Sequence, residues 1–268
     1  MSALTFTLKT ELRQRIDCSP LTPQHLTDKT MAEIAALELA CGNQKLRVDA
    51  LFDIAGDDAN DIVINNGNGK LDYVGQGLQE GRITVHGDVG SYLGFGMKNG
   101  SLQVHGNADA FAASGLAGGQ ILIDGNVGDF LASALPGDRK GMRGGLVIVK
   151  GNAGDRVGDQ MRRGTLLIEG NVGRYCASRM LAGTIGVMGS VGEYLGYGMR
   201  RGTVMLFDTP PLHCTLQDCG THTLPFLSLM FKSFRALPSK FAGIDRNRVR
   251  RYAGDIANDG KGEILVFI

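Results

Sequence analysis

"GDVGSYLGFGMKNG", residues 87–100, threads Val89, Tyr92, Leu93, Phe95 and Met97 between five glycines. Glycine-rich chain usually stays flexible, because it buries too little apolar surface to offset its conformational entropy. Apolar residues at such regular spacing instead call for a buried face. Both demands are met if the glycines turn corners and the apolar residues fill the space the corners enclose.

Working outward, the same arrangement recurs. Glycines at 81, 100, 119, 145, 164, 183 and 202 are separated by 19, 19, 26, 19, 19 and 19 residues, and a second set at 87, 106, 125, 151, 170 and 189 keeps those intervals. The single 26 is one period plus seven residues, placed at Ser133 to Arg139, whose Pro-Gly pair reads as a loop budding from one repeat. Two residues after each first glycine stand Ile83, Leu102, Ile121, Val147, Leu166, Ile185 and Val204. Two further on stand Val85, Val104, Ile123, Val149, Ile168, Val187 and Leu206. Apolar, mostly β-branched and two apart, they predict a strand with one face buried. A turn glycine follows, usually with Asn after it (Asn107, Asn126, Asn152, Asn171), in a position where asparagine tolerates left-handed backbone. An aromatic column comes next, Tyr92, Phe111, Phe130, Tyr175 and Tyr194, broken by Arg156. Leu78, Met97, Leu116, Met142, Met161, Met180 and Met199 each lie three residues before a register glycine and hold half of the ten methionines.

Nineteen residues are too few for a helix pair, and the apolar period is two rather than 3.6. The pattern predicts an all-β chain: a right-handed parallel β-helix of about seven coils, each stacked ~4.8 Å from the next. A phosphate-binding loop would need one such glycine turn between one strand and one long helix, whereas here the turn recurs with a strand after every copy.

The ends differ from the repeat. Residues 1–60 read as an N-terminal cap, with a strand at "LTFTLK" and a helix or helical turn in "LTPQHLTDKTMAEIAALELA". Residues 61–208 are the glycine-rich solenoid, and 209–268 a C-terminal cap and tail. There "FLSLMFKSFRAL" predicts an amphipathic helix closing the far end, and "EILVFI" a last strand. Mixed α/β segments thus cap the solenoid at both ends.

A formal net charge of +1 argues against a general nucleic-acid binder. No basic start followed by an apolar run marks a signal peptide, and no apolar stretch reaches the ~20 residues that cross a bilayer. Five scattered cysteines do not suggest a disulfide framework. The expected location is cytoplasmic, with no membrane partner.

Three groups of residues could carry chemistry. His86, His105 and Asp124 share one outward column, followed by Lys150 and Glu169, and read as a polar outer ladder or a site. "HCTLQDCGTH" gathers His213, Cys214, Cys219 and His222, weak metal candidates without the distant second ligand pair of a zinc motif. The two positions after the methionine column hold Lys98, Arg143, Arg162, Arg163, Arg200 and Arg201. Like charges ~5 Å apart repel one another, so this stripe is a candidate interface or anion-binding surface for an acidic subunit or a polyanionic ligand. Arg246, Arg248, Arg250 and Arg251 extend the idea into the tail. No nucleophile elbow, carboxylate pair or redox motif appears, so no catalytic residue and no bound cofactor are assigned.

The G-x2-G-x3-G unit, as Gly87, Gly90, Gly94 and again Gly189, Gly192, Gly196, resembles the C-terminal β-helix of the glutamate synthase large subunit. Over nearly the whole chain, "MAEIAALELACGN", "LFDIAGD", the glycine repeat and "RYAGDIANDGKGEI" resemble the C-subunit family of formylmethanofuran dehydrogenase. That resemblance implies one of two settings. One is a molybdenum or tungsten enzyme that reduces CO2 to formylmethanofuran. The other, towards which the moderate length and the lack of a cluster-binding cysteine set lean, is the bacterial formyltransferase/hydrolase complex. It moves a formyl group from tetrahydromethanopterin to a methanofuran-type carrier and releases formate. It further implies that chemistry resides in an amidohydrolase-like subunit and a formyltransferase subunit, alongside a B-subunit homologue, with this chain a non-catalytic scaffold. The carrier's glutamyl residues make the arginine stripe a possible guide for that chain. A free-standing carbohydrate-active β-helix is the reading of another class; it would require an exposed cleft with stacking aromatics.

Overall fold

The computed structural model describes residues 2–268 and is mostly β. Its strands are β1 (Ala3–Leu8), β2 (Ile16–Asp17), β3 (Glu38–Cys41), β4 (Gln44–Arg47), β5 (Phe52–Ala55), β6 (Asp58–Gly67), β7 (Leu71–Asp72) and β8 (Arg82–Gly87). They continue as β9 (Ser101–Val104), β10 (Gln120–Ile123), β11 (Arg143–Val149), β12 (Arg163–Ile168), β13 (Thr184–Val187) and β14 (Thr203–Leu206). Last come β15 (Gln217–Thr223), β16 (Arg248–Gly254) and β17 (Gly262–Phe267). The helices are α1 (Pro23–Leu26), α2 (Met31–Ala36), α3 (Val48–Leu51) and α4 (Pro225–Phe234), with a 3-10 turn at Lys240–Gly243.

One thirteen-stranded sheet runs in the order β15-β16-β17-β14-β13-β12-β11-β10-β9-β8-β6-β1-β5. From β8 to β14 every neighbour is the next strand in sequence and every pair is parallel. Ile83 sits opposite Leu102, then Ile121, Val147, Leu166, Ile185 and Val204 in turn. A second column of parallel bridges links Val89, Ala108, Val127, Ala153, Val172 and Val191. Each repeat therefore lies directly on the one before it, and the strand and methionine columns are buried together in one core.

The seven extra residues fall two positions later than the glycine spacing placed them. Ala134 still donates its N–H to Asp159, as Gly96 does to Ser114, and Met142 donates to Ala132 as Met97 does to Gly94. Leu135–Gly141 is the segment without a counterpart, because the repeat's hydrogen bonds persist through Ala134.

The terminal regions depart from expectation in two places. The N-terminal helical stretch is split. Thr30 and Glu33 form a capping box that starts α2, and the chain turns to strand at Glu38–Cys41, whose alternating burial matches a half-buried pleat. At the other end α4 forms as expected but does not close the stack. Strand β17 pairs in parallel with β14, placing Ile264 opposite Val204, and the antiparallel β16 and β15 follow it. Helix α4 and the 3-10 turn instead cover the outer face of the sheet. Leu227, Phe231, Phe234 and Phe241 pack there against Leu122, Ile148, Leu167, Met205 and Leu265. The outward column explains the difference: it is polar at Thr84 and Gln103 but apolar from Leu122 onward, so that half of the face must be covered.

Candidate functional site

The basic column is built by the backbone ladder. Lys98 donates its N–H to Leu78, Arg143 to Leu116, Arg162 to Met142 and Arg200 to Met180; Ala117 and Leu181 occupy the same place on their own repeats. The pattern ends at Arg200: the Met199 carbonyl accepts the Asp255 N–H, and Lys261 donates to the carbonyl of Arg200 instead. The residue before each of Lys98, Ala117, Arg143, Arg162, Leu181 and Arg200 is a buried methionine or, at Leu116, a buried leucine, which turns the next two side chains out. Lys98, Arg143, Arg162, Arg163, Arg200 and Arg201 are all exposed. Arg143 and Arg163 face each other across β11 and β12, and Arg143 Nη2 donates to the Gly115 carbonyl at 3.2 Å.

None of these six cations forms an ion pair among the described residues, although pairing is common elsewhere on the surface. Lys9 reaches Asp53 at 3.0 Å, and Arg15 bridges Asp72 at 2.7 Å and Asp109 at 2.6 Å. The tail arginines do not extend the unpaired row. Arg250 is held by Asp218 and Arg251 by Glu263, so two of the four are neutralised within the chain.

The outward histidine column is a chain of paired groups. The rings of His86 and His105 stack with centroids 4.9 Å apart. His105 Nδ1 lies 2.6 Å from Asp124 Oδ2, and Lys150 Nζ lies 2.7 Å from Asp124 Oδ1. Partial burial pushes the Asp124 carboxyl up, but the hydrogen bonds from Lys150 and His105 outweigh it and hold the group below the usual carboxylate range. It is thus kept ionised and engaged, the wrong state for a general acid near neutral pH. Glu169, next but one, is turned under the C-terminal segment, where Oε1 accepts the Lys240 N–H at 2.8 Å. Sequence spacing placed Glu169 in the column; its role as a clasp for the covering segment depends on a partner 71 residues away.

The four weak metal candidates are used locally. His213 spans the Leu195 carbonyl and the Thr215 hydroxyl at 3.0 and 2.6 Å. His222 Nε2 contacts the Cys219 carbonyl at 2.9 Å, the Cys219 thiol faces the Gln217 carbonyl, and Cys214 is exposed. Among the described residues no three His, Cys, Asp or Glu side chains come together to hold a metal ion. No helix among them is long and apolar enough to cross a membrane.

The repeated glycine architecture has known relatives. The family model described as GXGXG motif matches residues 63–218. A chain in the crystal structure of the formyltransferase/hydrolase complex FhcABCD from Methylorubrum extorquens, in complex with methylofuran, matches with a TM-score of 0.93 and 40% identity. The match covers 98% of both chains. This chain belongs to the C-subunit family. The C subunit of the formyltransferase/hydrolase complex Fhc of Methylorubrum extorquens is 40% identical over 86 residues, 32% of each chain. The C subunit of tungsten-containing formylmethanofuran dehydrogenase 2 of Methanococcus maripaludis is 31% identical over 92 residues, 34% of each. These local alignments span about a third of the curated relatives they match.

Proposed function

We propose that this chain is the scaffold subunit of a formyltransferase/hydrolase complex, and that its repeats wind as a right-handed parallel β-helix. The observation that carries the first part is 40% identity sustained over 98% of both chains with a chain of FhcABCD. Supporting the second are the seven-strand parallel ladder in strict sequence order and the second bridge column at the same spacing. In this reading residues 1–60 and 209–268 cap the solenoid of 61–208, and the neighbouring subunits supply the chemistry. The complex would use a methanofuran-type carrier and tetrahydromethanopterin. In the outward column, the Asp124 carboxylate is shared between His105 and Lys150.

Gentle purification of the chain from its native cell, followed by mass spectrometry, tests the assignment. An amidohydrolase-like chain and a formyltransferase in the eluate are the expected result. Recovery with a tungsten or molybdenum subunit would move the chain to the dehydrogenase, and a lone monomer would overturn the scaffold reading.

The unpaired row Lys98, Arg143, Arg162, Arg163, Arg200 and Arg201 is, in this proposal, where an acidic surface of another subunit docks. Rows of like charge are costly unless neutralised, and arginine forks match carboxylates. Replacing Arg162, Arg163, Arg200 and Arg201 together by Ala is expected to leave the isolated chain's melting temperature within a few degrees, since exposed substitutions change stability by ~0.5 kcal/mol or less. It should also reduce recovery of partners about tenfold or more. Intact assembly with slowed formyl transfer would instead assign the row to the anionic carrier.

A further inference from the structure

Beside the row lies a cleft that the repeat alone does not make. It has a volume of about 670 Å3 and is lined by Arg139, Lys140, Gln160, Arg179, Tyr197 and Arg200, with Asn258 at its edge. Three separate stretches meet there: the extra segment Leu135–Gly141, three successive repeats, and the turn at Ile256–Asn258. Arg139 and Lys140 come only from the insertion, and both are exposed.

The charges in this cleft are unbalanced. Arg179 is neutralised by Asp159, whose side chain is 3% exposed and accepts from Arg179 Nε at 2.9 Å and from Ser178 at 2.9 Å. Arg139, Lys140 and Arg200 have no ion-pair partner among the described residues, and no acidic residue lines the cleft. Asp138, next to Arg139 in the chain, makes no ion pair among them either. The whole chain carries only +1, so the excess is local and not part of a general positive field.

We propose that an extended, carboxylate-rich polypeptide segment of a neighbouring subunit docks in this cleft, held at Arg139, Lys140 and Arg200. The inference rests on the reading of this chain as a subunit of a complex. The spread of the cations selects a chain over a compact anion. Gly141, next to Lys140, donates to Gln160, and Gln160 and Arg179 donate in turn to Ser178 and Tyr197 on the following repeats, so Lys140 and Arg200 stand about three rungs, ~14 Å, apart along the stack. One phosphate engages donors around a single centre. An extended peptide rises ~3.3 Å per residue with alternate side chains on one face, and so meets a line of cations. Tyr197, 52% exposed, Gln160 and Asn258 add neutral hydrogen-bonding groups of the kind a peptide backbone needs.

Carbodiimide cross-linking of the purified complex tests this directly. The reagent joins an amine and a carboxylate in contact as an amide and leaves as its urea, having taken up the water. Mass spectrometry should find Lys140 joined to an Asp or Glu of another subunit. Acetylation of Lys140 should be at least fivefold slower in the complex than in the isolated chain. Lys140→Arg should abolish the cross-link and leave the complex intact, because the charge is kept. Arg139→Glu with Lys140→Glu, both on an exposed loop, should leave the isolated chain folded by circular dichroism and lower partner retention about tenfold. Lys140 acetylated equally fast in both states, or joined to a carboxylate that is not part of a protein, would overturn the proposal. Either result in an intact complex leaves the scaffold reading standing; failure to recover any complex removes that reading first.

Discussion

At four of the seven register glycines, Gly119, Gly164, Gly183 and Gly202, the methyl group of a methionine one repeat earlier occupies the place a Cβ would take. A Cβ built on Gly164 would lie 2.6 Å from Met142 Cε, and those on Gly183 and Gly202 3.0 and 2.8 Å from Met161 and Met180 Cε. The same glycines carry φ of +101°, +113° and +111°. The two columns are one device: the side chain of one repeat fills the space its neighbour leaves empty. Gly183→Ala meets both the steric and the conformational penalty, and is expected to destabilise by about 2–4 kcal/mol, read as a shift of the urea midpoint. Met161→Ala, which opens a cavity, should cost about 2–5 kcal/mol. The glycine and methionine columns were legible as periodicities; that they lock into each other required the third dimension. Corners were less legible. Tyr92, Phe111, Phe130, Arg156, Tyr175 and Tyr194 have φ between 58° and 65°, so the aromatic column, not the asparagines, turns left-handed. Stacking at 4.7 Å for Phe111–Phe130 and Tyr175–Tyr194, with Arg156 lying 4.7 Å over Tyr175, offsets that strain. The asparagines instead accept the next repeat's backbone N–H, Asn126 from Asn152 and Asn152 from Asn171 at 2.8 Å each.

Elements are held in place by side chains that the repeat's period does not describe. Gly186 sits in the outward column where its neighbours are Leu167 and Met205, and a Cβ there would lie 2.7 Å from the Phe241 ring. Gly186→Val should displace the 3-10 turn at a cost of about 1–3 kcal/mol, visible as lost protection of the segment while the strand ladder persists. The turn at Ile256–Asn258 is tied down by Asp255, which is 1% exposed. Burial pushes its carboxyl up, but hydrogen bonds from Thr215, the Gly198 N–H and Asn258 prevail and leave it below the ordinary 3.8. A depressed carboxyl contributes stability that is present above the unfolded value and lost as pH falls through the folded one. The melting temperature is therefore expected to hold above pH ~4 and decline below it. Asp255→Asn should flatten that decline and lower stability at neutral pH. Neither Phe241 nor Asp255 could be placed from sequence, since both act on positions some 55 residues away: Gly186 for the first, Gly198 for the second.

Across the whole molecule, a stack of repeats that touch only their neighbours is expected to gain and lose structure progressively from its ends. Here the C-terminal covering segment breaks that independence. It bridges Leu122, Ile148, Leu167, Met205 and Leu265, which lie on β10, β11, β12, β14 and β17, through one apolar cluster. The outer faces of β8 and β9, carrying Thr84, His86 and Gln103, and His105 just after β9 receive no such cover. The outward apolar run from Leu122 was visible in the sequence, but an exposed-face assignment based on strand alternation hid its meaning. Opening any covered strand must also expose part of that cluster, so β10 to β14 should behave as one cooperative block and β8 to β9 as a weaker one. Hydrogen exchange followed by mass spectrometry should show slower exchange in β11 and β12 than in β8 and β9, despite equal ladder hydrogen bonding. Phe241→Ala, costing about 3–5 kcal/mol at a fully buried ring, should speed exchange in β11 to β13 and leave β8 and β9 unchanged. Uniform acceleration along the stack would mean that the repeats couple through their shared core alone and that the outer cover contributes nothing to cooperativity.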